Sequence, residues 1–446
     1  MSKHVVIIGG GIVGLSAAWF CVRRGHRVTV IDRDDAQRNG CSYGNAGMIV
    51  PSHIVPLAAP GMIRLGLKWM WDPKSPFYIR PRASWDLLQW LWQFHRHCTP
   101  QHVVQCGSVL RDLHLRSREC YLQLQSDLPG GFELKQHGLL VLCKSKAGLH
   151  EEALAATAAD TLGVPAEVLT TDDTARLDPG VQVDVQGSVY YPRDCHLNPN
   201  RLMAAIQSHL IKSGCDFIWN AEVTGAEISG SRIRRVRFDT ADQAGNADAG
   251  SEVDADEVVL CGGVWSSPLA RQLGLRLPMQ AGKGFSVMAE APAELPSICA
   301  LLSEARVAVT PIGNSLRVGG TMEVVGIDPS ISPLRIRGIV ESIPKYYPNI
   351  KSGDFELPAD QPTGPIDAKT PGPQYRSPWV GLRPCSPDGM PYIGRTARYD
   401  NLVVATGHAM MGISLAPATG EIVADLVDQA ESQSSLPPQL SPDRYL

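Results

Sequence analysis

The sequence predicts an α/β chain of two domains: a Rossmann-like nucleotide-binding unit and a second unit built on an antiparallel sheet. Three observations carry this expectation. The amino terminus spells strand, glycine turn, helix, strand and acid: "HVVII" at 4–8, Gly9-x-Gly11-x-x-Gly14, a helical pattern to about Arg24, Gly25-His26, then "RVTVID" closing on Asp32. At 446 residues the chain is too long for one ordinary core. Further along, "HGLLVLCKS", "GFSVMAEA", "VAVTPIG" and "SLRVGGTMEVVG" read as strands of an antiparallel sheet.

Each part of the first unit has a physical task. Gly9 makes the tight turn, Gly11 lets a pyrophosphate approach the backbone, and Gly14 lets helix and strand touch. Ile12 and Val13 open a helix whose free N–H groups and dipole favour an anion. Asp32 can accept hydrogen bonds from a ribose hydroxyl, with Arg33 beside it. A turn that merely eases packing, or the glycine turn of a methyltransferase using S-adenosylmethionine, would share the glycines; the rest of the chain decides between them.

Composition narrows the class. With 44% hydrophobic and 19% charged residues the chain is neither disordered nor fibrous. A formal charge of -4 gives no electrostatic case for nucleic-acid binding. The 11 cysteines are scattered and odd in number, with no Cys/His cluster at metal-ligand spacing. Neither a disulfide framework nor a metal site is expected, and a reducing cytoplasmic setting is. Residues 5–22 are uncharged and could pass for a leader or a membrane span, but Gly9, Gly10 and Gly11 in succession argue against a spanning helix.

Beyond Asp32, "RDDAQRNGCSYGNAGMIVPSH" passes from a polar loop into a run of small residues. Here the sequence resembles the D-amino acid oxidase superfamily of FAD-dependent oxidoreductases, most closely the bacterial D-amino acid dehydrogenases of small-subunit type. The resemblance implies a glutathione-reductase-like fold with non-covalent FAD. It sets Ser42 near the FAD phosphates and Asn45, Ala46, Gly47 and Met48 along the flavin ring. It recurs in "GSVYYPRDCHLNPNRLMAAIQSHL", in "CDFIWNAEVTGAEI", whose Val223 backbone would meet adenine, and in "EVVLCGGVWS", with Gly262 and Trp265 at a second nucleotide contact. In "NLVVATGHAMMGISLAPATGEIVADLV", Gly407, His408, Gly412 and Ile413 would face the flavin, where a helix amino terminus stabilises negative charge. In "VGLRPCSPDGMPYIG", Arg383 would clamp the substrate carboxylate by planar bidentate bonds; the bland alternative is a structural ion pair with Asp388.

Three positions depart from the pattern of the nearer relatives. His53 stands where an aromatic hydroxyl is expected, Phe285 where tyrosine is common, and Met48 where a polar residue is. Fewer hydroxyls imply a bulkier, less polar or cyclic substrate, such as D-proline or D-hydroxyproline. His53 and His408 are the histidines available to orient substrate or carry a proton, against the reading that either merely packs.

The implied activity is oxidation of a D-amino acid to its imino acid, with hydride passing from Cα to flavin N5 and electrons to a quinone or other acceptor. The alternatives are an oxygen-using oxidase of glycine, sarcosine or another secondary amine, and a flavoprotein electron-transfer subunit. Residues 1–55, 187–265 and 376–446 are expected to assemble the FAD domain; 56–186 and 266–375 the substrate domain. Five of nine tryptophans, Trp69, Trp71, Trp85, Trp90 and Trp92, fall among basic residues. That suits either a helix-packing cap on the substrate cavity or peripheral contact with the inner face of the cytoplasmic membrane. Residues 239–255 read as a surface hairpin tip, and the oligomeric state stays open.

Overall fold

The computed structural model describes residues 1–38, 40–70, 75–128, 130–240, 250–355 and 378–446. Its strand His4–Ile8 is apolar on both faces because both faces are covered: Val5 and Ile7 pack in one core, Val6 and Ile8 in another. The six-stranded sheet around it runs Tyr392–Arg395, Leu402–Thr406, Glu257–Leu260, His4–Ile8, Arg27–Ile31, Asp216–Ile218. All pairings are parallel except the first, which is antiparallel.

Helices Ile12–Arg23, Pro199–Lys212 and Gly412–Asp428 supply the first core, burying Leu15, Ile206 and Val423 over Val5 and Ile7. On the other face a three-stranded antiparallel sheet (Ala221–Ser229, Arg232–Thr240, Ser251–Asp254) sets Ala221, Ile233 and Phe238 over Val6 and Ile8. The uncharged stretch at 5–22 is thus a buried strand and most of a core helix. Ala409–Asp428 is long and apolar enough to cross a membrane, yet 72% of its apolar window is buried inside the protein.

The larger sheet has nine strands, and all four segments read as antiparallel strands lie in it, within Leu139–Cys143, Gln280–Glu290, Val307–Ile312 and Ser315–Val324. It is mixed: Cys299–Leu302 runs parallel to Leu139–Cys143, and Phe77–Ile79 parallel to Ser315–Val324. Two of its strands, Gly187–Tyr191 and Trp379–Cys385, fall in segments grouped by sequence with the nucleotide unit. Local motifs mark where a chain passes a ligand, whereas sheet membership is decided by pairing partners far along the chain. Pro100–Asp127 similarly crosses over: Cys106 and Leu110 pack on Met411 and Leu415, and the Tyr121 hydroxyl donates to the Ile413 carbonyl at 2.6 Å. Trp71 and most of the expected hairpin tip, 241–249, lie outside the described residues.

Candidate active site

At the carboxyl ends of the parallel strands a cavity opens, with about 1460 Å³ of space, mouth included. Ile8, Ile31, Leu260 and Ala405 close its floor at the strand ends, the place where open α/β sheets bind ligands. Its wall runs from the Gly9–Gly11 turn and Asp32 past Ser42 and Trp265 to Leu382, Pro384 and His408, so it suits an extended ligand.

The glycines divide the work as their geometry requires. Gly9 has φ 108°, and a Cβ there would lie 2.6 Å from the Cys261 carbonyl oxygen. A Cβ on Gly14 would lie 1.9 Å from the Gly9 carbonyl oxygen, so only glycine lets this helix touch its turn. Gly11 differs: φ is -65° and its nearest neighbour, Ser42 Oγ, lies 3.7 Å from a built Cβ. Nothing in the backbone demands glycine there; a side chain would simply occupy the cavity. The helix has no side-chain cap at Gly11, and Ser42 Oγ accepts from Ile12 N at 3.1 Å. Neighbouring N–H groups and the Ser42 hydroxyl therefore face a space suited to phosphate.

Asp32 is held for ribose. One carboxylate oxygen accepts Gly10 N at 2.5 Å and the other Asp34 N at 2.9 Å. Arg33 lies with its guanidinium 3.7 Å from the Trp265 ring centroid, and both line the wall. Sequence reasoning missed Arg38. It is 4% exposed, donates Nε to Gly10 O at 2.7 Å and Nη1 to Gln207 Oε1 at 2.7 Å, and leaves Nη2 buried without a partner among the described residues. Burial lowers its pKa. No spacing rule marks it; only the fold brings residue 38 back over the glycine turn.

The wall also holds Val13, Asn45, Val223, Gly262, His408, Gly412 and Ile413 from the expected set. Gly407 sits one residue before His408 at φ 79°. Ala46, Gly47 and Met48 lie behind the wall. Gly47, at φ 75°, faces the Leu197 carbonyl, while Ala46 and the 8%-exposed Met48 join an apolar cluster with Val50 and Ile54. The expectation that Met48 and Phe285 meet substrate is corrected. Phe285 is 1% exposed in the core of the large sheet beside Val287 and Val318, because its strand turns its neighbours Gly284 and Ser286 to the opposite face.

Arg383 belongs to Trp379–Cys385; its neighbours Leu382 and Pro384 line the cavity, and the wall residue Cys41 lies within electrostatic reach of its guanidinium. Burial lowers its pKa. Its one hydrogen bond among the described residues runs from Nη1 to Thr321 O at 2.6 Å, and no carboxylate pairs with it. Asp388, the sequence alternative, is taken by Arg444 at 2.7 Å. A half-buried guanidinium with no anion beside it among the described residues has donors left over for one.

The histidines are neutral. Burial pulls His408 down to about 3. Its Nε2 lies 2.9 Å from Thr419 Oγ1, which donates to Leu415 O at 3.0 Å. The hydroxyl therefore accepts, Nε2 carries the proton, and Nδ1 keeps a lone pair. Burial brings His53 to about 4, and it stands within electrostatic reach of His114, itself near 3. His53 is not part of the cavity wall. Neither His53 nor His408 is a cation near neutral pH, so neither is a general acid there. Burial also pushes the Cys385 thiol up to about 12, keeping it a packed thiol rather than a thiolate.

In this frame the residues fit FAD: a cradle that a Cβ at Gly11 would fill, a helix amino terminus met only by the Ser42 hydroxyl among the described side chains, an acid for ribose, and a buried Arg38 nitrogen with no partner among the described residues.

Comparison with known proteins agrees. The family model described as FAD dependent oxidoreductase, DAO, matches residues 4–426. Among solved structures, the chain is similar to glycine oxidase from Geobacillus kaustophilus, at 22% identity, full coverage of both chains and TM-score 0.74. It is similar to L-proline dehydrogenase from P. horikoshii, at 18% identity, 100% and 98% coverage and TM-score 0.72. A reduced, FAD-bound L-alpha-glycerophosphate oxidase from Mycoplasma pneumoniae matches at 14% identity, 96% and 95% coverage and TM-score 0.69. At these identities the structures speak for the fold.

Proposed function

The chain belongs to the DAO family of FAD-dependent oxidoreductases, and from that premise we propose that it oxidises an amino acid or amine, as a dehydrogenase of a D-amino acid with an apolar or cyclic side chain. The observation that carries this reading is Arg383, a half-buried guanidinium with no anionic partner among the described residues. A carboxylate is the complementary ligand, and planar bidentate pairing would fix both its position and its rotation.

The surroundings support the side-chain preference. Met322, Cys385, Trp90 and Ala409, with Phe77 and Phe94, form an apolar cluster beside the anchor strand. The Trp90 indole donates to Cys385 O at 2.9 Å, tying the Trp85–His97 helix to that strand. Bound FAD supplies the two-electron acceptor for oxidation of the amine to an imine. Gly11, Ile12 and Ser42 would hold its phosphates, Asp32 its ribose, and His408 with the Gly412–Asp428 amino terminus would border its ring. Neutral His408 leaves the amine to lose its own proton to solvent.

The acceptor is proposed to be reached at a membrane surface. Trp85, Leu88 and Trp92, 71%, 55% and 57% exposed, share one face of their helix, and Arg96 lies over the Trp92 ring. An apolar stripe edged by cations suits an anionic bilayer.

Anaerobic mixing of purified protein with D- and L-amino acids and N-methyl amines tests the reading through flavin bleaching. Bleaching by D-amino acids and slow recolouring in air supports it. Rapid recolouring marks an oxidase, preference for L-isomers or amines without a carboxylate overturns the substrate assignment, and a yellow protein that nothing bleaches marks an electron-transfer subunit.

A further inference from the structure

We propose that Thr321 and Gly284 form an orientation lock for the Arg383 guanidinium, making them positioning residues for recognition of the substrate carboxylate. The inference rests on Arg383 being the carboxylate anchor. Gly284 lies on Gln280–Glu290, the strand hydrogen-bonded to Trp379–Cys385. A Cβ built there would meet Arg383 Nη2 at 2.2 Å and Cζ and Nη1 at 2.3 Å. The guanidinium plane therefore lies on bare backbone where any other residue would carry a side chain. φ at Gly284 is not in the left-handed region, so its conformation does not require glycine; the space does.

Thr321 fixes the rotation. It is β-branched, 7% exposed, and has φ 70°, a combination costly enough to mark a held geometry. It sits where pairing between Gln280–Glu290 and Ser315–Val324 slips, between Lys283↔Glu323 and Phe285↔Gly320. That bulge turns the Thr321 carbonyl out of the ladder, where it accepts Arg383 Nη1 at 2.6 Å. With Nη1 engaged and one face on Gly284, the Nε–Nη2 edge has no partner among the described residues. That edge is a two-pronged donor of the spacing a carboxylate needs. A loosely hinged arginine would bind an anion equally well but would not set its rotation, so the lock governs where the neighbouring carbon and its amine point.

The test is titration of the FAD-loaded protein with benzoate, a carboxylate probe, followed by flavin absorbance, with anaerobic flavin reduction by the best amino acid as a second readout. Gly284→Ala should weaken benzoate at least tenfold and raise the half-saturating amino acid concentration similarly. Gly282→Ala, whose Cβ meets Met322 Sδ and Cys385 Sγ rather than Arg383, should change benzoate binding less than threefold. In an Arg383→Lys background, Gly284→Ala should have no further effect, since the flat group it crowds is gone. Thr321→Gly should raise the melting temperature while weakening benzoate at least threefold.

Equal losses from Gly282→Ala and Gly284→Ala, additive losses in the Arg383→Lys background, or unaltered binding in Gly284→Ala would each overturn the lock while leaving the anchor standing. Wild-type benzoate affinity in Arg383→Ala would instead remove the anchor on which it rests.

Discussion

Asp388 and Arg444 are joined by two hydrogen bonds, Nε to Oδ2 at 2.7 Å and Nη2 to Oδ1 at 3.0 Å, while Arg383 pairs with no acid among the described residues. Burial opposes charge on Asp388, yet the Arg444 guanidinium outweighs it and holds the carboxyl below its usual range. Two arginines near the carboxy terminus thus differ: one is paired with an acid within the fold, and the other is proposed to bind the substrate carboxylate. Arg444→Ala should destabilise the protein by about 3–5 kcal/mol, because it strands a buried carboxylate. Urea unfolding checks this.

Arg383→Ala should behave in the reverse way. Removing a half-buried cation that pairs with no anion among the described residues should leave the unfolding midpoint unchanged or higher, whereas apparent substrate affinity should fall by ~2–5 kcal/mol. The flavin spectrum should be retained, since Leu382 and Pro384, not Arg383, line the cavity. A protein that loses stability and keeps its substrate affinity would show Arg383 to be structural.

The cofactor cradle separates in the same manner. Gly11→Val needs no backbone change, because φ at Gly11 is -65° and a Cβ there meets nothing nearer than 3.7 Å. Its methyl groups would fill the phosphate space, so a folded, colourless protein is expected. Arg38→Leu should also weaken FAD retention, by about tenfold or more if the free Nη2 meets an anionic or ribose oxygen. Absorbance after gel filtration, beside far-UV circular dichroism, distinguishes an empty fold from an unfolded one.

How far the sequence spoke follows from where the information lies. The glycine turn, Asp32 and the Gly412 helix were legible because their constraints are local: a positive φ, a close approach, a helix amino terminus. The large-sheet strands were legible from their pattern but not their partners: Gly187–Tyr191 and Trp379–Cys385, placed by sequence in segments of the FAD domain, pair in the large sheet. Phe285 was misread by analogy alone; its neighbour Gly284, apparently featureless, is the residue that touches Arg383. Arg38 and Thr321 carried no signal, because a carbonyl turned out by a bulge and a guanidinium folded back over a turn exist only once distant segments pair.

The exposed stripe on Trp85–His97 makes a separable claim. Replacing Trp85, Leu88 and Trp92 together by glutamine should cut binding to vesicles containing anionic phosphatidylglycerol by at least about tenfold, as expected for losing several partly inserted apolar side chains. Flavin content and anaerobic reduction should be untouched, since the helix anchors itself through buried Trp90. Unchanged sedimentation with vesicles would remove the membrane from the proposal and leave the oxidation chemistry intact.

Asp194 gives the fold a pH dependence of unusual sign. It is fully buried, accepts Ser52 N at 3.1 Å and Ser52 Oγ at 2.5 Å, and thereby pins the loop leading to His53. Burial pushes its pKa from 3.8 to about 7, more than the Ser52 hydrogen bonds pull it down. A carboxyl whose folded pKa is raised contributes stability that is whole below the unfolded value and is lost as pH climbs through the folded one. The loss should fall between about pH 4 and 7 and amount to a few kcal/mol, at ~1.4 kcal/mol per unit. The buried histidines work the other way, His53, His114 and His408 losing stability as pH falls below about 6.5. Asp194→Asn isolates the first effect, since an amide keeps an acceptor for Ser52 and cannot ionise. Its unfolding free energy should match the wild type near pH 4 and exceed it by a few kcal/mol at pH 8. If the two proteins stay parallel across that range, Asp194 ionises freely in the folded state and the loop is held by something else.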